Sequence, residues 1–119
     1  MRNKLLPFLG LTTALFVSVT HAQEFHVANT AELRSAFEDA ALNGQADIIY
    51  LAAGTYKTTD DGIGTFAFTD NETYDLTLIG VAKETVILDG DTVDNVLEFN
   101  FNMTGATVTM DEITIQNGL

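Results

Sequence analysis

Three stretches of this chain repeat one pattern, in which a short alternating strand is followed by a break and a second strand or turn. They are DIIYLAAGTY at 47–56, DLTLIGVAKETVILDG at 75–90 and ATVTMDEITIQNG at 106–118. Apolar side chains recur at every second residue, so each strand presents one apolar face. Self-similarity at a spacing near thirty residues is typical of stacked coils rather than of a closed globule.

Three strand sites recur with this step, which predicts a triangular coil of three short strands per turn. Each coil would pair in parallel with the next at about 4.8 Å. The residues predicted to be equivalent are Ile49 with Leu76, Leu76 with Val108, Tyr56 with Ile87, Ile87 with Ile115, and Phe68 with Phe99. An antiparallel β-sandwich, with turn signals roughly every 8–12 residues, is the alternative.

One turn of the coil is expected to stack on the same turn of the next coil. Asp89-Gly90 and Asn117-Gly118 lie 28 residues apart. Asn, Asp and Gly tolerate the left-handed backbone that a sharp corner needs. We therefore predict that Asp89 and Asn117 are stacked corner residues.

One amphipathic helix is predicted, over residues 30–43. Asn29 is its expected N-cap, and Glu32 stands at the spacing of a capping box. The apolar stripe at helical spacing consists of Leu33, Ala36, Phe37 and Ala40. Gly44 is the expected stop. A lone helix ahead of a strand stack is placed to cover the open end of that stack, so we predict a cap.

The N-terminal segment 1–22 has the pattern of an export signal. Arg2 and Lys4 precede an apolar run, and Ala22 offers a small residue before the expected cut. At roughly 15 residues the run is short for a membrane span, and an uncleaved anchor is the alternative. We therefore expect the mature chain, 23–119, to be secreted or held at the outer cell surface, with no transmembrane segment after cleavage.

The chain is strongly acidic and has no cysteine. Removal of the signal would change its formal net charge from −12 to −14, since the signal holds two basic residues and no acidic one. Nucleic acid is not an expected partner, because phosphate binding needs the opposite charge. The absence of cysteine excludes disulfides and a lipid anchor on cysteine.

The order of these elements resembles the N-terminal cap and first coils of right-handed parallel β-helix proteins, the pectin-lyase-like superfamily. The likeness runs from about Phe25 to Gly118, through TAELRSAFEDAALNG, DIIYLAAGTY, LTLIGVAKETVILDG and VTMDEITIQNG. It implies an all-β solenoid with a cap helix and about two to three coils. The superfamily contains lyases, esterases, hydrolases and surface proteins, so the resemblance implies a fold and no single chemistry.

The catalytic patterns of that superfamily are not matched here. Its lyases use a basic residue beside calcium-binding acids on middle coils, whereas the basic residues of the mature chain fall on the helix and early turns; they are Arg34, Lys57 and Lys83. The GxYxE phrase of the esterases is met by Gly54 and Tyr56, but Thr58 stands where Glu would be. We therefore assign no catalytic residue and no cofactor.

Two acidic groups are candidate calcium ligands, because Ca²⁺ prefers oxygen. Asp89, Asp91 and Asp94 lie on a loop that contains glycine, at a spacing that is not that of an EF-hand. The second group consists of Asp60, Asp61, Asp70 and Glu72. Solvated turns explain both groups as well, and we predict no metal site.

Three further features are candidate sites. Asp111 and Glu112 are adjacent, so they point to opposite faces of a strand and make a poor catalytic dyad. His26 should face outward, and no second histidine follows the signal to build a metal site or a triad. A sugar-stacking surface or ordinary strand packing would each account for three tyrosines, namely Tyr50, Tyr56 and Tyr74.

Together these features predict the non-catalytic capping portion of a secreted or surface-exposed β-helix protein, associated with carbohydrate or a cell-surface component. The alternative is the front end of a polysaccharide lyase, esterase or hydrolase whose catalytic coils are missing from this chain. Because a solenoid needs a cap at each end and about three repeats, residues 23–119 are expected to be a truncated domain. Such a domain should self-associate edge to edge through its last coil.

Overall fold

A computed structural model describes residues 22–102 and 105–119 of the chain. These ranges are mostly β structure, with short strands and one α helix. In chain order the elements are β1 Gln23–Val27, α1 Thr30–Ala40, β2 Asp47–Leu51, β3 Gly54–Lys57, β4 Phe66–Asp70, β5 Leu76–Gly80, β6 Val86–Asp89, β7 Leu97–Phe101, β8 Val108–Asp111 and β9 Thr114–Gln116. The predicted signal peptide lies outside the described residues, apart from Ala22.

The strands form three sheets. The first sheet has the order β1-β2-β5-β8, the second β3-β6-β9 and the third β4-β7. All pairings among the described strands are parallel. The antiparallel sandwich is therefore wrong, because its hairpins would pair successive strands in opposite directions.

The register fixes which residues are equivalent in successive strands. Two predicted equivalences are confirmed, Phe68 with Phe99 and Leu76 with Val108. The predicted equivalence of Ile49 and Leu76 is wrong by two residues, since Ile49 pairs with Leu78. A shift of two residues leaves the same side chains facing inward, so the hydrophobic alternation alone cannot detect it.

The second sheet is offset from the prediction by one residue. Leu88 pairs with both Tyr56 and Ile115, where the prediction placed Ile87. Tyr56 and Leu88 are fully buried, whereas Ile87 is half-buried. Successive residues of a strand point to opposite faces, so the predicted register would have turned Leu88 out of the core.

The predicted stack of Asp89 on Asn117 is off by one residue as well. Asp89 ends β6 and pairs with Gln116 in β9. Asn117 has the left-handed φ of 52° expected of a corner residue, but after β6 that conformation falls on Asp91, with φ 56°. Asp89 is thus the last residue of a strand, and the corner comes after it.

The core is built from the inward-facing rows of the three sheets and one face of the helix. Phe37 in α1 packs edge-on against Phe68 in β4, with ring centroids 5.8 Å apart, and Phe68 packs against Phe99 in β7 at 6.3 Å. The other large, fully buried side chains are mostly aliphatic; they include Leu33, Ile49, Leu51, Tyr56, Phe66, Leu76, Leu78, Val86 and Leu88.

The start of the helix matches the sequence prediction. The Oδ1 atom of Asn29 accepts a hydrogen bond from the backbone N–H of Glu32 at 2.9 Å. The Glu32 carboxylate in turn accepts from the N–H of Ala28 at 2.8 Å, one residue before the cap itself. All four residues of the predicted apolar stripe are buried, namely Leu33, Ala36, Phe37 and Ala40.

The helix ends at Ala40, three residues before the predicted end at 43. Its last turn tightens, because the N–H of Leu42 donates to the carbonyl oxygen of Asp39, only three residues back. Gly44 does adopt a left-handed backbone, with φ 75°, but within the loop that follows. Leaving the helix early lets the side chain of Asn43 reach the start of β2.

The first and last strands of the sheets are covered differently. The helix packs against β1, β2 and β4. The last strand of each sheet carries apolar side chains that are partly exposed; these are Phe101 at 42%, Met110 at 43% and Ile115 at 46%. Among the described residues, no helix has the length and apolarity needed to cross a membrane.

Candidate functional site

Asp89, the first candidate calcium ligand, is buried and surrounded by hydrogen-bond donors. Its carboxylate accepts from Nε2 of Gln116 at 3.0 Å, from Nδ2 of Asn117 at 3.1 Å and from the N–H of Asp91 at 2.7 Å. These hydrogen bonds, with that of Gln116 the largest, hold the pKa of Asp89 below its usual value. The side chain therefore joins the turn after β6 to β9.

Asp91 and Asp94, the other two candidates, are joined to the loop after β3. Asp91 accepts from the hydroxyl of Thr59 at 2.9 Å and lies 3.5 Å from Nζ of Lys57. Asp94 accepts from the hydroxyl of Thr58 at 3.0 Å. In residues 22–102 and 105–119, no three His, Cys, Asp or Glu side chains form a group that could hold a metal ion.

Two residues of the second acidic group, Asp60 and Asp61, bind side chains of α1. Asp60 accepts from the hydroxyl of Thr30 at 2.8 Å and from the N–H of Lys57 at 3.2 Å. Asp61 forms an ion pair with Arg34, in which Nε lies 2.6 Å from Oδ2. The hydrogen bond from Arg34 is the main cause that lowers the pKa of Asp61.

Arg34 is the functional residue of the cap that sequence reasoning missed. It lies off the apolar stripe, which predicted an exposed side chain, yet its guanidinium carbon sits 4.7 Å above the ring of Phe66. It also donates to three backbone carbonyl oxygens, those of Thr58, Gly64 and Thr65. The only signal in the sequence is the acidic Asp60-Asp61 pair, which gives no indication of this contact by itself.

The other half of the second acidic group belongs to a cluster that we call the acidic corner, made of the buried Asp47 and Asp70 and the half-buried Glu72. Asp47 starts β2, is 3% exposed and accepts a hydrogen bond from Nδ2 of Asn43. Burial raises the pKa of Asp47 to about 6; the Asn43 hydrogen bond opposes this, and Glu72 adds to it. Asp47 was not identified as a candidate, because alternation alone predicts an apolar residue at an inward position.

His26 faces outward, as predicted, and stacks on Tyr50, with ring centroids 4.9 Å apart and an interplanar angle of 15°. Tyr56 is fully buried, so the three tyrosines do not form one surface. The His26–Tyr50 pair belongs to what we call the outer face of the first sheet, formed by the side chains that alternate with the buried rows. Its residues are Glu24, His26, Ile48, Tyr50, Thr77, Ile79, Thr109 and Asp111.

The remaining candidate residues do not assemble into a catalytic group. Asp111 ends β8, whereas the next residue, Glu112, has a left-handed φ of 56° and accepts from the N–H of Lys83 at 3.3 Å. Tyr56 and Thr58, which match or replace residues of the esterase phrase, are both fully buried. Their side chains serve the core and the loop contacts.

Comparison with known proteins finds no match among protein-family models, curated proteins or solved structures. The contacts of the described residues are therefore the basis for a function. They leave one surface with an aromatic pair and free polar groups, the outer face, and one buried cluster with unpaired carboxylate oxygens, the acidic corner.

Proposed function

We propose that this chain is the non-catalytic capping portion of an exported, right-handed parallel β-helix that presents its outer face to carbohydrate. The observation that carries the proposal is the arrangement of the helix on the parallel sheets: it lies against β1 and β2 of the first sheet and against β4, the first strand of the third sheet. A coil of three strands per turn would produce this strand order. The right-handed sense rests on the rule that about 98% of parallel crossovers within one sheet are right-handed.

The contacts of the charged residues support a structural role. Arg34 and Asp61 bind each other, Asp89 is enclosed by donors, and Lys57 lies beside Asp91. A general base or nucleophile needs a free face toward a substrate. These groups are used to join successive loops instead.

The outer face supports carbohydrate as the partner. The His26–Tyr50 stack offers aromatic surface of the kind on which a sugar ring packs. Glu24, 3.9 Å from His26, and Thr109, two strands from Tyr50 on the same face, have exposed polar groups. A chain of net charge −12 repels polyanions, so a neutral polysaccharide fits better than a polyuronate.

Binding to insoluble neutral polysaccharide, measured by co-sedimentation, tests the function. We expect His26→Ala combined with Tyr50→Ala to weaken binding by about tenfold, since a sugar–aromatic contact of this kind contributes on the order of 1 kcal/mol or more. Tyr74→Ala is the matched control, because Tyr74 is exposed and lies on a turn away from the outer face. Equal binding by all three proteins, or release of unsaturated uronate from polygalacturonate, would overturn the proposal.

Engineered disulfides test the stacking, and the chain has no native cysteine to interfere. Ile48, Thr77 and Thr109 are consecutive partners across β2, β5 and β8. Cysteine pairs at 48/77 and at 77/109 should oxidise. A pair at 48/109 should not, because strands two apart are separated by about 9.6 Å, beyond the roughly 7 Å that a disulfide spans. Oxidation of the last pair alone would contradict the stack.

Export is tested by fractionating cells and measuring the mass of the chain by mass spectrometry. We expect the chain outside the cytoplasm, with Gln23 as its first residue. Replacing Arg2 and Lys4 with Glu should retain the full-length chain inside, because the positive n-region is required for export. A product that still begins at Met1 and stays membrane-bound would support the uncleaved anchor.

A further inference from the structure

The acidic corner links Asp47 and Asp70 through Glu72 and has few hydrogen-bond donors. Asp70 is 2% exposed, and its Oδ1 atom accepts from the N–H of Glu72 at 2.8 Å. The Oδ2 atom of Asp70 and the Oε1 atom of Glu72 are buried without a hydrogen-bond partner in the described residues. An unpaired buried carboxylate oxygen is costly, so this corner is short of donors.

The neighbours of Asp47 do not supply positive charge. On the flanking strands it faces Gln23 of β1 and Leu76 of β5. The exit loop of the helix contributes the neutral amide of Asn43, and the turn before β5 contributes Asp75, whose carbonyl oxygen accepts from the Asp47 N–H at 3.0 Å. The charged group that acts on Asp47 is therefore another acid, Glu72, whose negative charge adds to the rise in the pKa of Asp47.

We propose that the acidic corner is a proton-binding site that fastens the exit loop of the cap helix to the stack. Uptake of one proton by Asp47 removes a negative charge next to Glu72 and adds an O–H donor near Glu72, whose Oε1 atom lacks one. Loss of that proton places like charges in a buried site and loosens the loop at Asn43 and Gly44, beside which the Glu72 carboxylate lies. The site goes beyond the proposed binding of carbohydrate and is independent of it.

The direction of the effect follows from linkage. Burial raises the pKa of Asp47 from 3.8 to about 6 in the folded chain. Its favourable contribution is present in full below pH 3.8 and is lost as the pH rises through about 6. A difference of about two pKa units corresponds to roughly a hundredfold change in the unfolding equilibrium constant. Asp61 and Asp89, whose pKa values are lowered, act at pH below 3.8 and do not mask this window.

Urea unfolding of the purified chain at a series of pH values between about 4.5 and 7.5 tests the proposal. The unfolding constant should rise about 25-fold across this range, since part of the hundredfold change falls below pH 4.5. Protease cleavage in the loop 41–46 should rise with it. Asp47→Asn keeps the acceptor for Asn43 but cannot ionise, so its unfolding should lose most of the pH dependence. Asp39→Asn removes one carboxylate from the exposed face of α1 and should titrate like the wild type.

Three results would overturn the proposal. One is an Asp47→Asn chain that titrates like Asp39→Asn. Another is a wild-type chain whose pH dependence disappears when Ca²⁺ is added, which would make the corner a cation site. Should Asp47→Asn fail to fold, carbon NMR of the wild-type carboxyl groups decides, and the absence of any carboxyl that titrates near pH 6 is the third.

Discussion

The guanidinium of Arg34 holds the carboxylate of Asp61 with two hydrogen bonds, from Nε to Oδ2 at 2.6 Å and from Nη2 to Oδ1 at 3.1 Å. Only 14% of the Arg34 side chain and 25% of the Asp61 side chain are exposed. Because Arg34 is on the helix and Asp61 is on the loop after β3, this pair joins the helix to the loop between β3 and β4.

Arg34→Met should lower Tm by on the order of 10 °C, because it leaves Asp61 unpaired and three carbonyl oxygens without their donor. Asp61→Asn should cost less, since the backbone contacts of Arg34 remain. Thermal unfolding followed by circular dichroism measures both. Lys83→Met is the matched control: it removes the same charge from an exposed turn.

The Arg34–Asp61 pair also predicts a pH dependence. Arg34 lowers the pKa of Asp61 below its usual 3.8. The stabilisation from Asp61 is therefore present above pH 3.8 and is lost as the pH falls through the lowered value. Asp61→Asn should lack this part of the stabilisation, so its free energy of unfolding should fall less than that of the wild type at low pH. Two results would contradict a stabilising role for the Arg34–Asp61 pair. One is identical acid unfolding of the wild type and Asp61→Asn, and the other is an Arg34→Met chain as stable as Lys83→Met.

The cap helix was predictable because its signals are local. Asn29, Glu32 and the stripe from Leu33 to Ala40 lie within two or three turns of one helix, and their spacing fixes the cap and the buried face. The predicted end was too late because the last turn tightens between Asp39 and Leu42, and Asn43 then bonds to Asp47 at the start of β2 instead of continuing the helix.

The strand register and the Arg34–Asp61 pair could not be predicted in the same way. Alternation identifies which side chains face inward, but loop length sets which residues of neighbouring strands lie opposite each other. The pairing of Tyr56 with Leu88 is an example. Arg34 and Asp61 are 27 residues apart, and only the fold brings them together. The acidic corner was not predicted for the same reason, because Asp47 starts β2 whereas Glu72 follows β4.

Gly80 lies at a close approach of two backbone segments. A Cβ atom there would fall 2.1 Å from the carbonyl oxygen of Glu112 and 3.1 Å from Cβ of Val86. Gly80→Ala should therefore cost on the order of 2–4 kcal/mol, because the backbone around β5 would have to move. The free energy of unfolding in urea measures this cost.

Gly118→Ala is the control for this close approach. Its Cβ would meet only a methyl group of Val96 at 3.5 Å, an ordinary contact. The substitution should change the free energy of unfolding by less than about 0.5 kcal/mol. Equal losses for Gly80→Ala and Gly118→Ala would mean that β5 and the turn holding Glu112 are not packed as the structure has them.

Tyr56 combines a fully buried ring with a shared hydroxyl. Its O–H lies 2.7 Å from the carbonyl oxygen of Ala52 and 3.2 Å from that of Val27. Tyr56→Phe keeps the ring and removes the donor, so it should cost about 1–2 kcal/mol. Urea unfolding measures the change, and Tyr50→Phe, on the outer face, should have almost no effect. If Tyr56→Phe leaves the free energy of unfolding unchanged, the hydroxyl is not needed to join β3 to the end of β1 and to the turn after β2.

The last strands of the three sheets should mediate self-association. Their free edges have no strand partner in residues 22–102 and 105–119, and Phe101, Met110 and Ile115 are each more than 40% exposed. Unpaired strand edges beside apolar side chains are a template for pairing with another chain. We expect sedimentation velocity to show species larger than a monomer as the concentration rises. Added salt should strengthen the association, because it screens the repulsion between two chains of net charge −12.

Met110→Glu should shift the purified chain toward the monomer, since the glutamate would place a charge in the middle of this apolar end. Val81→Glu adds the same charge at another exposed position, 68% exposed in the turn after β5, and should leave association unchanged. A wild-type chain that stays monomeric at every concentration would refute association. Equal effects of the two substitutions would assign the association to net charge, because only Met110 belongs to the exposed last strands.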